Sequence, residues 1–312
     1  MSHPQRRITL LGGSGFVGRE LVANFAKAGF RVRVLTRRAN ACAHLAVLPQ
    51  VECVIADVHD AATLTRQFTG SDVVINLVGI LNERGFSGRG FAAAHAELTR
   101  KVVAACLEAG VPRLLHMSSL GAALDAPSHY LRSKGLAERH VRESPSALAW
   151  TIFRPSVIFG RHDSLLNRFA SLLALSGGIM PLARAGALFA PVWVGDVAAA
   201  FQRALQDERS IGRCYDLPGP RRMSLRELVE YVGTLTGRPA KVIPLPDAIG
   251  KLQGRIMDFI PGKPFSSDNF RSLSVDNVSD QDGLSELGIA ATTIETIAPT
   301  YLRTKHRGTI RG

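Results

Sequence analysis

Tyr130 and Lys134 stand four residues apart in the run Tyr130-Leu131-Arg132-Ser133-Lys134, which sets a phenol and an ammonium one turn apart on one helix face. A cation beside a phenol lowers its pKa. The pair therefore predicts a tyrosine that exchanges a proton with a substrate oxygen, and a lysine that also holds a ribose. Ser118 and Ser119, a short way upstream, are candidate hydroxyl donors to the same oxygen or partners for strand-end backbone. A second cluster lies near the start, where Gly12-Gly13-Ser14-Gly15-Phe16-Val17-Gly18 follows an apolar run and leads into an amphipathic pattern. Strand, glycine turn and helix in that order bring a dinucleotide pyrophosphate onto a helix N-terminus. Gly12 permits the turn, Gly15 lets backbone approach phosphate, and Gly18 lets the helix pack against the strand.

The residues after the second strand decide which dinucleotide is expected. A carboxylate there would accept bonds from ribose hydroxyls and favour NAD(H), whereas this chain reads Thr36-Arg37-Arg38. Two guanidiniums pair with a 2′-phosphate and stack on adenine, so NADP(H) is preferred, with NAD(H) left open. Asp57, after the third strand, either receives the adenine amino group or forms a turn.

These residues need a scaffold, and the apolar patterning supplies one. Strands are expected near residues 31–35, 51–56, 73–78, 113–118 and 149–154, with helical stretches between them, notably 91–109. That alternation predicts an α/β fold, a Rossmann-type doubly wound parallel sheet with a small C-terminal lobe. The expected division is a cofactor domain over residues 1–220, with 160–200 contributing to the lobe, and a substrate or partner lobe over 221–312. Beyond residue 160 the rhythm changes. Ser224 with Glu227 forms a capping box, and residues 240–290 are rich in Pro, Gly, Ser and Asp. Residues 247–260 carry apolar side chains near helical spacing with basic ones between, a pattern for an ordinary lobe helix or for one lying on a membrane or partner.

Composition bounds the setting. The 312 residues carry 38 Lys and Arg against 26 Asp and Glu, a net charge of +12. Without a basic patch interleaved with aromatics, nucleic acid is not the expected partner; a phosphate-rich cofactor, anionic lipid or an acidic protein fits the charge as well. No apolar run approaches the ~20 residues that span a bilayer, and MSHPQRR carries no apolar leader. Cys42, Cys53, Cys106 and Cys214 form no CxxC pair, which points to a reducing compartment and against a disulfide framework. The expected location is cytoplasmic. His162-Asp163 lacks a third ligand, so no metal is expected.

Together the motifs resemble the short-chain dehydrogenase/reductase superfamily, in its extended or atypical branch, over roughly residues 6–220. The resemblance rests on the glycine turn, Asp57 followed by Val58, Leu77-Val78-Gly79, YLRSK at 130–134 and Arg154-Pro155-Ser156-Val157-Ile158-Phe159-Gly160. It implies that Leu77, Val78, Gly79, Met117, Pro155 and Val157 belong to the cofactor shell. Bacterial NAD-dependent epimerase/dehydratase-like proteins are similar. So is the atypical group containing the NADPH-binding accessory subunit of respiratory complex I, through Glu83, His95, and Pro191-Val192-Trp193-Val194-Gly195-Asp196. By that alignment Leu120 stands where the extended enzymes carry Ser or Thr. His95 stands where many carry Asn, and is expected to pack the helix or bond backbone. Two functions follow from the resemblance. One is an NADP(H)-dependent oxidoreductase with Tyr130 as acid or base toward an unidentified small carbonyl or hydroxyl compound. The other is a cofactor-binding accessory or assembly protein of a membrane respiratory complex, peripheral on the inner membrane face. An oligomer paired near Tyr130 is also implied.

Overall fold

The computed structural model describes residues 6–45, 47–261 and 263–307. The chain divides into two compact units. One comprises the residues up to Asp125, His129–Arg154 and Val197–Tyr215; the other comprises Ala126–Ser128, Pro155–Asp196 and Asp216 onward.

The first unit is built on a seven-stranded sheet. Its leading elements are β1 (Arg7–Leu11), α1 (Phe16–Lys27), β2 (Arg31–Thr36), β3 (Val51–Ile55), α2 (Ala61–Phe68) and β4 (Val73–Asn76). They are followed by α3 (Arg89–Phe91), α4 (Leu98–Glu108), β5 (Arg113–Met117), α5 (His129–Arg142) and β6 (Ala149–Pro155). Strand order across the sheet is Arg213–Leu217, β6, β5, β4, β1, β2, β3, and β1 to β6 run parallel. Strand order reverses between β1 and β4, and ligands in such sheets bind outside the carboxyl ends at that reversal. β4 is buried at every position, as a strand covered by helices on both faces must be. At the edge, β3 leaves Ile55 exposed. Leu11, Leu35, Leu64, Phe68, Leu98, Val102 and Ile152 belong to one buried cluster, and each such side chain contributes roughly 1.5–3 kcal/mol through burial.

Two features depart from the sequence expectation. The helix expected over residues 91–109 opens with the single turn α3 and then a π-helical stretch, Ala92–Glu97, before α4. Cys42 and Cys53, expected as free thiols, are joined in a disulfide with Cα atoms 6.3 Å apart. Cys53 lies on β3 opposite Val34 of β2, and the intervening loop returns Cys42 to that strand; spacing along the chain carries no such information. Cys106 and Cys214 take no part in a disulfide among the described residues.

Among its described residues the second unit holds three two-stranded sheets, of which Ile179–Ala183 with Lys241–Leu245 is the longest. Its core gathers Phe159, Leu166, Leu173, Leu228, Val232, Tyr301 and Leu302. The capping box at Ser224 and Glu227 starts helix Leu225–Leu235. Asp163 is a structural anchor: its carboxylate accepts from the Leu166 N–H at 2.7 Å and from the Tyr301 hydroxyl at 2.7 Å. Among the described residues no helix is long and apolar enough to cross a membrane.

Candidate cofactor and catalytic site

The glycine turn has the shape its sequence implies. Gly12 adopts φ +81°, and a Cβ there would lie 3.1 Å from the Leu77 carbonyl carbon, so the turns after β1 and β4 lie side by side. A Cβ on Gly18 would collide with the Gly12 carbonyl oxygen and the Gly13 backbone. The Gly15 N–H bonds the Gly12 carbonyl at 3.0 Å, closing the turn. No side chain caps α1, and its first turn holds no acidic residue. Among the described residues no side chain of α1 or its cap neutralises the terminal N–H groups and positive dipole end, which suits an anion. Arg19, unnoticed in the sequence, donates to the Ser14 carbonyl at 3.1 Å and steadies the loop. Ser14, Phe16 and Val17 lie in this turn and the start of α1.

Arg37 and Arg38 are exposed just beyond β2 and form no ion pair among the described residues. Thr36 braces them, accepting from the Arg38 N–H at 3.3 Å. Asp57 is exposed, with one carboxylate oxygen accepting from the His59 N–H at 2.9 Å; Val58 is buried in the core. After β4, the Leu77 N–H bonds the Leu11 carbonyl at 3.0 Å and the Val78 N–H bonds Asn76 Oδ1 at 3.1 Å.

The α5 helix carries both Tyr130 and Lys134. Lys134 is 3% exposed, and its ammonium donates to the Met117 carbonyl at 3.1 Å. A Cβ placed on Gly79 would stand 3.4 Å from Lys134 Nζ, which locates the amine beside the turn after β4. Burial draws the Lys134 pKa down to about 8, against the opposing pull of Glu138. Glu138, one turn further along α5, is itself held by Arg154 at 2.7 and 2.5 Å. The Tyr130 hydroxyl is hydrogen-bonded to the Ser119 side chain. The Lys134 charge was expected to depress the phenol. Instead burial pushes its pKa up, and the Ser119 bond offsets this only in part.

Ser118 and Ser119 separate clearly. The Ser118 N–H joins the Phe153 carbonyl at 2.7 Å, and its buried hydroxyl has no partner among the described residues. Ser119 reaches the tyrosine, while Leu120 is buried at 3% exposure. The Ser119 hydroxyl also donates to the Leu120 carbonyl at 3.2 Å.

His95 links the two sides. Its Nε2 accepts from the Ile80 N–H at 3.0 Å, which leaves the proton on Nδ1, 2.7 Å from Ser133 Oγ. Ser133 in turn donates to the Tyr130 carbonyl at 2.7 Å. Burial, then the Lys134 charge, lowers the His95 pKa to about 2, so this imidazole is a neutral brace that bonds backbone. Its ring and that of Phe91 meet Tyr130 edge-on at 5.5 and 6.0 Å. Glu83 shapes the approach to α3, accepting from the Gly88 and Gly90 N–H groups at 2.7 and 2.8 Å.

Pro155 closes β6, and Pro155 and Val157 belong to the second unit. There the Val157 N–H donates to Asn277 Oδ1 at 2.8 Å.

The residues of the first unit fit a dinucleotide on structural grounds: a turn whose Gly13 and Gly18 leave no room for a Cβ, a helix start without a side-chain cap, exposed arginines after β2 and a buried ammonium beside the turn after β4. A family model described as NAD(P)H-binding matches residues 12–164. NADH dehydrogenase [ubiquinone] 1 alpha subcomplex subunit 9 of Mus musculus is 32% identical over 311 residues, covering 96% of this chain and 80% of that protein. A ceramide reductase of Caulobacter vibrioides is 34% identical over 194 residues, 62% of this chain and 58% of its own. A dTDP-glucose 4,6-dehydratase structure from Streptomyces venezuelae superposes with TM-score 0.76 at 19% identity, covering 97% of this chain and 98% of that one. The chain therefore belongs to the family of the NADH dehydrogenase [ubiquinone] 1 alpha subcomplex subunit 9 proteins and carries an NAD(P)H-binding region over residues 12–164.

Proposed function

We propose that the protein binds NADP(H) and reduces a small carbonyl compound. The observation that carries this reading is the buried Lys134 ammonium, held by the Met117 carbonyl at 3.1 Å beside the turn after β4, on the helix that also carries Tyr130. A proton donor must hold its proton until the substrate oxygen becomes basic. The raised pKa of Tyr130 keeps the phenol protonated at neutral pH, which suits reduction better than oxidation. Ser119 orients that hydroxyl, and Lys134, still mostly charged at pH 7, would hold the nicotinamide ribose. A bound NADPH supplies the hydride. Gly12, Gly13, Gly15 and Gly18 would seat the pyrophosphate, and Arg37 with Arg38 the 2′-phosphate; that neither guanidinium has an ion-pair partner among the described residues supports NADP(H) over NAD(H).

A second reading has its own support. The relative matching 96% of this chain is a complex I subunit, so the protein also reads as a cofactor-stabilised accessory or assembly factor of a membrane respiratory complex, peripheral on the inner membrane face.

A screen of NADPH consumption over aldehydes, ketones and quinones with wild type and Tyr130→Phe tests the choice. Turnover that drops about 10²–10⁴-fold in the variant is the expected result. Tight NADPH retention with no turnover on any carbonyl overturns the reductase reading and leaves the accessory one.

A further inference from the structure

The helix Asp247–Met257 is laid on its unit the wrong way round for an ordinary amphipathic helix. Gly250 and Gly254 are its buried positions; a Cβ on Gly250 would meet Ala183 and Phe270, and one on Gly254 would meet Ser267. The large apolar residues lie outside. Ile249 is 51% exposed, Leu252 55%, Ile256 58%, Phe259 79% and Ile260 43%. At roughly 100° per residue Ile249, Leu252 and Ile256 fall on one stripe opposite the glycines, with Lys251 and Arg255 along its flank, and Phe259 and Ile260 are exposed just past the helix end. Both basic residues are exposed. The acidic residues of the segment are already engaged: Asp247 pairs with Arg184 at 2.9 Å, and Asp258 accepts from the Ser267 N–H at 3.3 Å.

We propose that this helix is a membrane-surface anchor, its apolar stripe lying in the headgroup boundary of an anionic bilayer with Lys251 and Arg255 at the phosphates. A row of exposed Ile, Leu and Phe is costly in water and marks a binding face; basic residues beside such a row fit an anionic interface. The same charges argue against a second copy as the occupant, because a two-fold pairing of the stripe would set Lys251 and Arg255 against their own copies. The inference gives the peripheral location proposed above a physical contact and does not depend on turnover.

Co-sedimentation of the purified protein with phosphatidylcholine vesicles, with and without phosphatidylglycerol, tests it. Association is expected with the anionic vesicles and is weakened by salt. The triple substitution Leu252→Ser, Ile256→Ser, Phe259→Ser is expected to lower it at least tenfold, with melting temperature and NADPH binding unchanged because these side chains are exposed. Lys251→Ala with Arg255→Ala removes the preference for anionic lipid, at about fivefold per charge. No association with anionic vesicles, or association indifferent to both variants, overturns the inference. So does a dimer in solution that the serine variant dissociates, which would assign the stripe to a second copy. Attachment through a protein complex is read separately, by co-isolation of the chain with membrane proteins.

Discussion

At the scale of single residues, the site turns on which serine faces Tyr130. Removing a hydroxyl that orients the phenol should cost turnover, and removing one buried elsewhere should not. Ser119→Ala is therefore expected to lower kcat for carbonyl reduction by about tenfold, the worth of one hydrogen bond, while Ser118→Ala leaves kcat within twofold; steady-state kinetics on the two variants checks this. Side-chain alternation along β5 could not make the distinction, because the strand ends at Met117 and the turn after it breaks the period of two. That Tyr130 and Lys134 share one helix was legible from the sequence, but the direction of the tyrosine's shift was not. It depends on how deeply α5 is buried, which spacing alone does not report. Lys134 gives a pH prediction with a definite sign. Its pKa is lowered to about 8, so the ammonium that would bind ribose is present below that value and lost above it. NADPH affinity measured by fluorescence titration should fall between pH 7 and 9, and Lys134→Met should flatten that fall.

At the scale of elements, the strand, glycine turn and helix over β1 and α1 could be read directly, since Gly12 takes a positive φ and Gly18 leaves no room for a Cβ. Gly18→Ala places a methyl against the Gly12 carbonyl and must push α1 off the strand. The expected outcome is a loss of about 1–3 kcal/mol in stability and loss of NADPH binding, by thermal melting with and without cofactor. The π-helical stretch around His95 had no sequence signal, since one extra residue per turn leaves no compositional mark, although such stretches recur at functional sites. It carries the histidine that braces Ser133 and so the carbonyl of Tyr130. The lobe helix over residues 247–257 was legible as periodic but not as inverted. Periodicity gives the stripe, and only the packing of Gly250 and Gly254 says which side faces inward.

At the scale of the whole molecule, family and fold were legible because motif order and strand order obey one topology. The Cys42–Cys53 bond was not, because it depends on a loop returning to a strand. Charge distribution makes the cofactor preference testable. Arg37→Ala with Arg38→Ala should weaken NADPH by about 10²-fold, in line with two lost charge-assisted contacts, and leave NADH within threefold; equal losses for both cofactors would place the 2′-phosphate elsewhere. The central claim is that a held cofactor is also used. Deuterium transfer from C4-deuterated NADPH into a carbonyl product, followed by mass spectrometry, tests it most directly. The account predicts one deuterium per product molecule with wild type and none above background with Tyr130→Phe. Stoichiometric NADPH binding with no labelled product from any carbonyl class would contradict it.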